Sequence, residues 1–278
     1  MNPHDVILTG VPRSGTTLVC NLLNRLPDTL ALHEPMKLRP LARLDDRVAI
    51  GDEIAAFFAR TRQSILTEGR AFTKHVGGQV PDNPYANQIG NGNARKLNVE
   101  RGEIFVAKSL SHEFTLCVKH PAAFTALLDA LAPRFACFAV IRNPLSALAS
   151  WHTVDEPMRD GHAPAAERFD SALAKQLALM EDVLDRQVCL LTWYFEQYHK
   201  LLPPGNILRY EDIVASQGRN LVAITPAAAG LTAPLENKNR NPLYDRAVME
   251  RLAEKLIRTE GAIWQFYSKD SITALLNE

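Results

Sequence analysis

Gly10-Val11-Pro12-Arg13-Ser14-Gly15-Thr16-Thr17 follows the apolar run Val6–Thr9 and precedes a stretch with Leu18, Leu22 and Leu23 on one helical face. Strand, glycine-bounded loop and helix come in nearly the phosphate-loop spacing G-x-x-x-x-G-K-[ST]. The chemistry is that of an anion cradle. Glycines let backbone N–H groups close around phosphate oxygens, and the helix N-terminus adds the positive end of its dipole. Thr16 and Thr17 add hydroxyl donors. The lysine that reaches the β- and γ-phosphates in an NTPase is missing, with Thr16 in its place. Arg13 instead puts a cation three residues earlier, where it can meet charge developing on a leaving group. The competing reading is an ordinary βα turn with a satisfied arginine.

A second anion site is legible further on. The run Ala136–Ile141 leads into Arg142-Asn143-Pro144, and Pro144 suits the first turn of a helix. Ser150 lies eight residues after Arg142, about two helical turns on. Both can grip one phosphate if a ligand lies over that helix. Taken alone, the pair reads equally well as an arginine capping carbonyls and a packed serine.

Taken together, GVPRSGTTL and IRNPLSALAS resemble the sulfotransferases that use 3′-phosphoadenosine 5′-phosphosulfate (PAPS). The loop is most similar to that of the tyrosylprotein and bacterial branch. The resemblance covers the N-terminal loop, the middle strand and helix, and the strand before Tyr210-Glu211-Asp212; it is weak in 40–105 and after 220. It implies a P-loop-like α/β fold in three layers, a central parallel sheet flanked by helices. It implies sulfuryl transfer from PAPS to a hydroxyl or amine, with adenosine 3′,5′-bisphosphate as product and no metal. Pro12, Arg13, Ser14, Gly15, Thr16 and Thr17 would hold the 5′-phosphosulfate, with Arg13 on the leaving oxygen. Arg142 and Ser150 would hold the 3′-phosphate, and Tyr210 would lie near the adenine. Lys119 would touch the sulfuryl oxygens, and the stretch Lys238-Asn239-Arg240 would close on the 3′-phosphate.

The base has two candidates under this resemblance. Glu34 lies 21 residues after Arg13, where the tyrosylprotein branch has a glutamate base. Lys119-His120 matches the Lys-His pair of the cytosolic small-molecule branch. The loop context favours Glu34, while histidine is the side chain best tuned to proton transfer near neutral pH. Trp151, His152 and His162 follow the second anion site and are expected to line the acceptor pocket. Glu211 and Asp212 read as caps of the next helix. Two rival functions stay open: a nucleotide kinase or NTPase on the same fold, and a non-catalytic nucleotide-binding protein that meets a partner.

The elements that must position these residues alternate. Strands are expected at Val6–Thr9, Thr29–Leu32, Ile104–Ala107, Thr115–Lys119, Ala136–Ile141 and Asn206–Arg209. Helices are expected over 16–26, 50–66, 122–131, 169–202 and 243–258. That pattern predicts α/β with a mostly parallel sheet. In such a sheet ligands bind beyond the carboxyl ends of the strands. The Gly10–Thr17 loop, Glu34, Lys119-His120, Arg142 and Tyr210 all fall at such ends. Residues 74–102 carry Gly77, Gly78, Gly90, Gly92, Pro81, Pro84 and, between 83 and 98, five asparagines, which is loop chemistry. This insertion is the expected acceptor-facing segment.

Composition sets the outer bounds. The chain has 278 residues, 31 Lys+Arg against 31 Asp+Glu, and 46% hydrophobic residues. Length alone fits one large or two small domains; the motif order points to one domain over 1–278. Zero net charge argues against a nucleic-acid partner held by a broad basic face. It mildly favours a small or neutral acceptor over a polyanion, with a glycan or peptide hydroxyl also open. The apolar runs are short, as at Phe138–Ile141, so no membrane span is expected. The N-terminal segment lacks the features of a secretory signal. Cys20, Cys117, Cys137 and Cys189 form no C-x-x-C pair, so a reducing, cytoplasmic setting and no metal knuckle are expected.

Overall fold

The computed structural model describes residues 2–44, 46–86 and 94–277. Among them the strands are β1 (Asp5–Gly10), β2 (Thr29–His33), β3 (Arg70–His75), β4 (Glu100–Phe105), β5 (Thr115–Lys119), β6 (Ala136–Ile141) and β7 (Ile207–Arg209). Five of them form one sheet in the order β2-β5-β1-β6-β7. Every pairing in it is parallel, with Ile7 of β1 facing Val118 of β5 and Cys137 of β6. The main helices are α1 (Thr16–Leu23), α2 (Arg47–Glu68), α3 (Pro121–Ala126), α4 (Pro144–Trp151), α5 (Ser171–Ala178), α6 (Val183–Leu201), α7 (Tyr210–Ala215) and α8 (Arg246–Ile257).

The period-2 alternation of the strands divides the interior into two cores. Val6, Leu8, Cys117, Phe138 and Val140 face one side, where Val19, Leu22 and Leu23 of α1 and Ile213 of α7 cover them. Ile7, Val118, Cys137, Ala139 and Ile141 face the other, against α2, α4, α6 and α8. A sheet buried on both faces must be apolar along its whole length, which is why these strands read as continuous hydrophobic runs. The three-layer α/β expectation holds.

Helix starts follow side-chain chemistry. Asp46 accepts from Ala49 N at 2.7 Å and Asp170 from Leu173 N at 2.9 Å. The helix expected over 169–202 is two helices. Asp182 accepts from Asp185 N at 2.9 Å and so starts α6 afresh, and Arg186 Nη2 donates to Met180 O at 2.6 Å. Asp245 likewise captures Val248 N and delays α8 to Arg246.

The largest departure lies in the expected loop 74–102. Its two ends are strands. β3 and β4 form an antiparallel ribbon in which Thr73 faces Gly102, so the strand expected at Ile104–Ala107 runs Glu100–Phe105. One face of β3 is buried, at Ala71, Thr73 and His75. Thr73 fastens the ribbon to the main sheet, its Oγ1 accepting from His33 N at 2.8 Å. Residues 87–93 of that segment lie outside the described residues. Among the described residues no helix is long and apolar enough to cross a membrane.

Candidate functional site

The carboxyl ends of the parallel strands open onto one cavity of about 740 Å³. The strand order reverses at β1, with β5 on one side and β6 on the other, which is where an α/β sheet leaves a crevice. Pro12, Arg13, Gly15, Thr16, Thr17, Glu34, Lys119, His120, Arg142, Ser150 and Tyr210 all line it.

The loop after β1 is pressed flat against β6. A Cβ on Gly10 would lie 2.4 Å from Val140 O, so only glycine allows that approach. Val11 N donates to the same carbonyl at 3.0 Å. The Ser14 hydroxyl is turned behind the loop, 2.6 Å from Val11 O and 2.7 Å from Val140 O, and does not reach the cavity. Gly15, at φ 94, is the N-cap of α1 and no side chain caps that helix. Its first-turn N–H groups are therefore left for a ligand. A Cβ on Gly15 would meet Tyr210 Cδ2 at 2.9 Å, so the Tyr210 ring packs directly under the loop.

Arg13 holds a left-handed backbone, φ 71, and so does Glu34, φ 50. Such a conformation costs a non-glycine residue on the order of 1 kcal/mol, and such residues gather at functional sites. Arg13 Nε donates to Ser150 Oγ at 3.2 Å, its Nη1 reaches Asn83 Oδ1 at 3.4 Å, and its guanidinium lies 4.4 Å from the Tyr85 ring centre. Burial lowers its pKa to about 10, which leaves it a cation at neutral pH. Trp151 Nε1 donates to Pro12 O at 2.9 Å, bracing the loop from beneath.

Arg142 works as a strut. It donates from Nε to Asn239 Oδ1 at 2.8 Å, from Nη1 to Arg13 O at 3.1 Å, and from Nη2 to Lys238 O and to Tyr244 Oη at 3.1 Å. Its face lies 4.8 Å from the Tyr210 ring centre. Ser150 thus meets Arg13 rather than Arg142, though all three line the same cavity.

Glu34 ends β2 between two lysines. Oε2 lies 2.6 Å from Lys74 Nζ, and Oε1 lies 3.3 Å from Lys119 Nζ and 3.6 Å from His33 Nε2. Burial alone would raise its pKa, but Lys119, the His33 hydrogen bond and Lys74 outweigh that and hold it well below the usual carboxylate range. Lys119 also reaches Thr17 Oγ1 at 3.1 Å, linking the end of β5 to the phosphate loop. Burial lowers its pKa too, against the pull of Glu34. His120 is differently placed. Its Nε2 accepts from Met36 N at 3.0 Å, which puts the ring proton on Nδ1, and burial pulls its pKa to about 3.

Several expectations are corrected. Trp151 is wholly buried, His152 Nε2 pairs with Gln187 Oε1 at 3.0 Å, and His162 faces Glu167; none lines the cavity. Glu156, Met158 and Ala165 of that stretch line it instead. Glu211 and Asp212 do not cap their own helix, which has no side-chain cap; Glu211 reaches other elements. Its Oε1 accepts from Asn143 N at 2.9 Å and Asn239 Nδ2 at 2.7 Å, and its Oε2 from Tyr267 Oη at 2.8 Å. Lys238 turns its ammonium to Glu236 and offers Arg142 its carbonyl. Sequence reasoning missed Lys74, Tyr85, Arg95 and Glu156, which line the cavity from the ribbon, the segment it brackets and the chain beyond α4. The alternation of Arg70–His75 was the available signal for Lys74. Among the described residues no group of three or more His, Cys, Asp or Glu is placed to hold a metal ion.

No family model matches the chain. No curated protein matches it either. Among solved structures it is similar to the sulfotransferase STF1 from Mycobacterium tuberculosis, at a TM-score of 0.39 and 15% identity, over 92% of this chain and 77% of that one.

Proposed function

We propose that the cavity binds PAPS and that the protein transfers its sulfuryl group to a hydroxyl of an acceptor. The observation that carries this reading is the make-up of the cavity floor. Arg142 is buried and Arg13 half-buried; neither has a carboxylate partner among the described residues, and they flank a helix N-terminus that no side chain caps. Buried cations without counter-ions fit an anionic ligand, and two separate arginines fit one anionic at two places.

In this reading the N–H groups of Gly15, Thr16 and Thr17 bind the 5′-phosphosulfate, and Arg13 neutralises the phosphate oxygen that leaves. Arg142 and Ser150 serve the 3′-phosphate side, and Tyr210 lies against the adenine. Lys119 stabilises the sulfuryl oxygens. Glu34 takes the proton as the acceptor oxygen bonds to sulfur and the sulfur–oxygen bond to phosphate breaks. The products are a sulfate ester and adenosine 3′,5′-bisphosphate. Glu34 is assigned over His120 because the Nε2 lone pair of His120 already holds Met36 N–H, whereas Glu34 is ionised and faces the cavity with a side chain 27% exposed. Positioning and electrostatics supply the catalysis, as in phosphoryl transfer. Tyr85, Met158 and Leu38 offer an acceptor an apolar wall.

Thermal unfolding with adenosine 3′,5′-bisphosphate against ATP–Mg²⁺ tests the reading. Ligand at 100 times its dissociation constant adds about 2.7 kcal/mol to stability. Stabilisation by the bisphosphate and little by ATP–Mg²⁺ is expected. Equal or greater stabilisation by ATP–Mg²⁺ would favour a kinase or NTPase and overturn it.

A further inference from the structure

A third arginine lines the cavity, and the proposed reaction gives it no role. Arg95 is 7% exposed. Its backbone is fixed: N donates to Thr153 O at 2.9 Å, and the residue bridges to Val154. Its Nη2 donates to Thr153 Oγ1 at 2.8 Å, while its Nε is buried with no partner. No carboxylate pairs with it among the described residues, yet it lines the cavity. A guanidinium kept from water with one neutral acceptor is a costly arrangement unless something anionic completes it.

Its surroundings say which end of the ligand that is. Thr153 sits one turn beyond Ser150 and is tied to it, with Thr153 N and Oγ1 donating to Ser150 O at 3.1 and 2.8 Å. Tyr244, whose hydroxyl lies 3.1 Å from Arg142 Nη2, and Arg142 itself are both electrostatic neighbours of Arg95. Arg13 and the Tyr85 stacked on it are electrostatic neighbours as well, so Arg95 stands between the two arginines, tied through Thr153 to Ser150, which the donor reading gives to the 3′-phosphate. The segment carrying it is braced across its own base, with Asn98 N donating to Pro84 O at 2.8 Å and Ala86 N to Lys96 O at 3.0 Å. Its other arm supplies Asn83 and Tyr85, the partners of Arg13.

Resting on the donor reading above, we propose that Arg95 is a ligand of the nucleotide's 3′-phosphate together with Arg142. Residues 83–86 and 94–98, part of the stretch 74–102 read from sequence as facing the acceptor, then also wall the donor site. Both arms meet the phosphates, and the nucleotide joins them to α4.

Titration calorimetry on the full chain tests this. Wild type, Arg95→Met and Arg95→Lys are each titrated with adenosine 3′,5′-bisphosphate and with adenosine 5′-monophosphate. Arg95→Met is expected to weaken the bisphosphate by about 10- to 100-fold, the loss of a charge-assisted hydrogen bond, and to leave the monophosphate nearly unchanged. Arg95→Lys is expected to restore part of the difference. Without ligand, Arg95→Met should unfold at the same or a higher temperature than wild type, because a buried cation with no counter-ion is gone. Equal losses for both nucleotides, no loss for either, or a fall in the stability of the free protein would each overturn the assignment. A wild type that binds both nucleotides equally would instead refute the donor reading itself, and this assignment with it.

Discussion

Replacing Glu211 by alanine removes one carboxylate from under three donors. Asn143 N, Asn239 Nδ2 and Tyr267 Oη would each lose an acceptor that now lies 2.7 to 2.9 Å away. Hydrogen bonds to a charged group contribute about 1.5–3 kcal/mol apiece. Water entering the gap recovers part of this, so a net cost of about 4 kcal/mol is expected, a large share of a typical stability of about 5–15 kcal/mol. Glu211→Gln is the informative control. One amide oxygen can still accept from both Asn143 and Asn239, and Tyr267 Oη can accept from the new NH₂. Only the charge assistance is lost, about 1–2 kcal/mol. The two variants should also separate in binding. Asn239 orients Arg142 through the 2.8 Å bond to Nε, so alanine at 211 should weaken adenosine 3′,5′-bisphosphate by about tenfold or more, and glutamine much less. Urea unfolding and calorimetric titration of both variants measure this. Equal destabilisation by the two substitutions, or alanine leaving nucleotide affinity intact, would refute the idea that Glu211 holds the Arg142 site together.

Further expectations concern protons. Glu34→Gln should slow the chemical step in single-turnover experiments by about 10²- to 10⁴-fold, with nucleotide affinity little changed. The Glu34 pKa is depressed, so activity should persist below the ordinary carboxylate range and fail only as pH drops through the lower folded value. Lys74→Met should move that acid limb upward, since Lys74 holds Oε2 at 2.6 Å; an unmoved limb would contradict Glu34 as the base. His120 and His33 titrate near 3 and 4 in the folded protein, lowered chiefly by burial, against an ordinary 6.5. Below 6.5 the unfolded chain therefore binds more protons than the folded one, and stability should fall as pH drops from 6.5 toward those values. Urea unfolding at pH 7.5 and 5 should show the loss, and His120→Asn should reduce it.

What could be read in the sequence was what chemistry made local. The Gly10–Thr17 loop was legible because a strand, two glycines and a helix start lie within a few residues of one another. The central sheet was legible because strands buried on both faces must be apolar throughout. Lys74 and Arg95 were hidden for the opposite reason. Lys74 sits on a ribbon face that mixes charged residues with the exposed Phe72 and Phe105, and nothing near it in sequence marks Glu34, 40 residues earlier, as its partner. Arg95 is placed by pairing with Thr153 and Val154, a contact between distant segments. Glu211 looked like a helix cap because a carboxylate in a first turn usually is one; its three partners come from residues 143, 239 and 267. His120 matched a family pattern in type and spacing, yet the bond from Met36 that occupies its lone pair is set by the turn after β2.

The central claim is sulfuryl transfer from PAPS, and radiosulfur-labelled PAPS tests it most directly. The protein would be incubated with the labelled donor and a mixed panel of phenolic, sugar and peptide hydroxyls, beside parallel reactions of Glu34→Gln and Arg13→Met. The account predicts that label moves from the nucleotide to an acceptor, that adenosine 3′,5′-bisphosphate appears in equal amount, and that both variants abolish the transfer. Label that stays on the nucleotide while the γ-phosphoryl group of ATP is transferred or hydrolysed would contradict it.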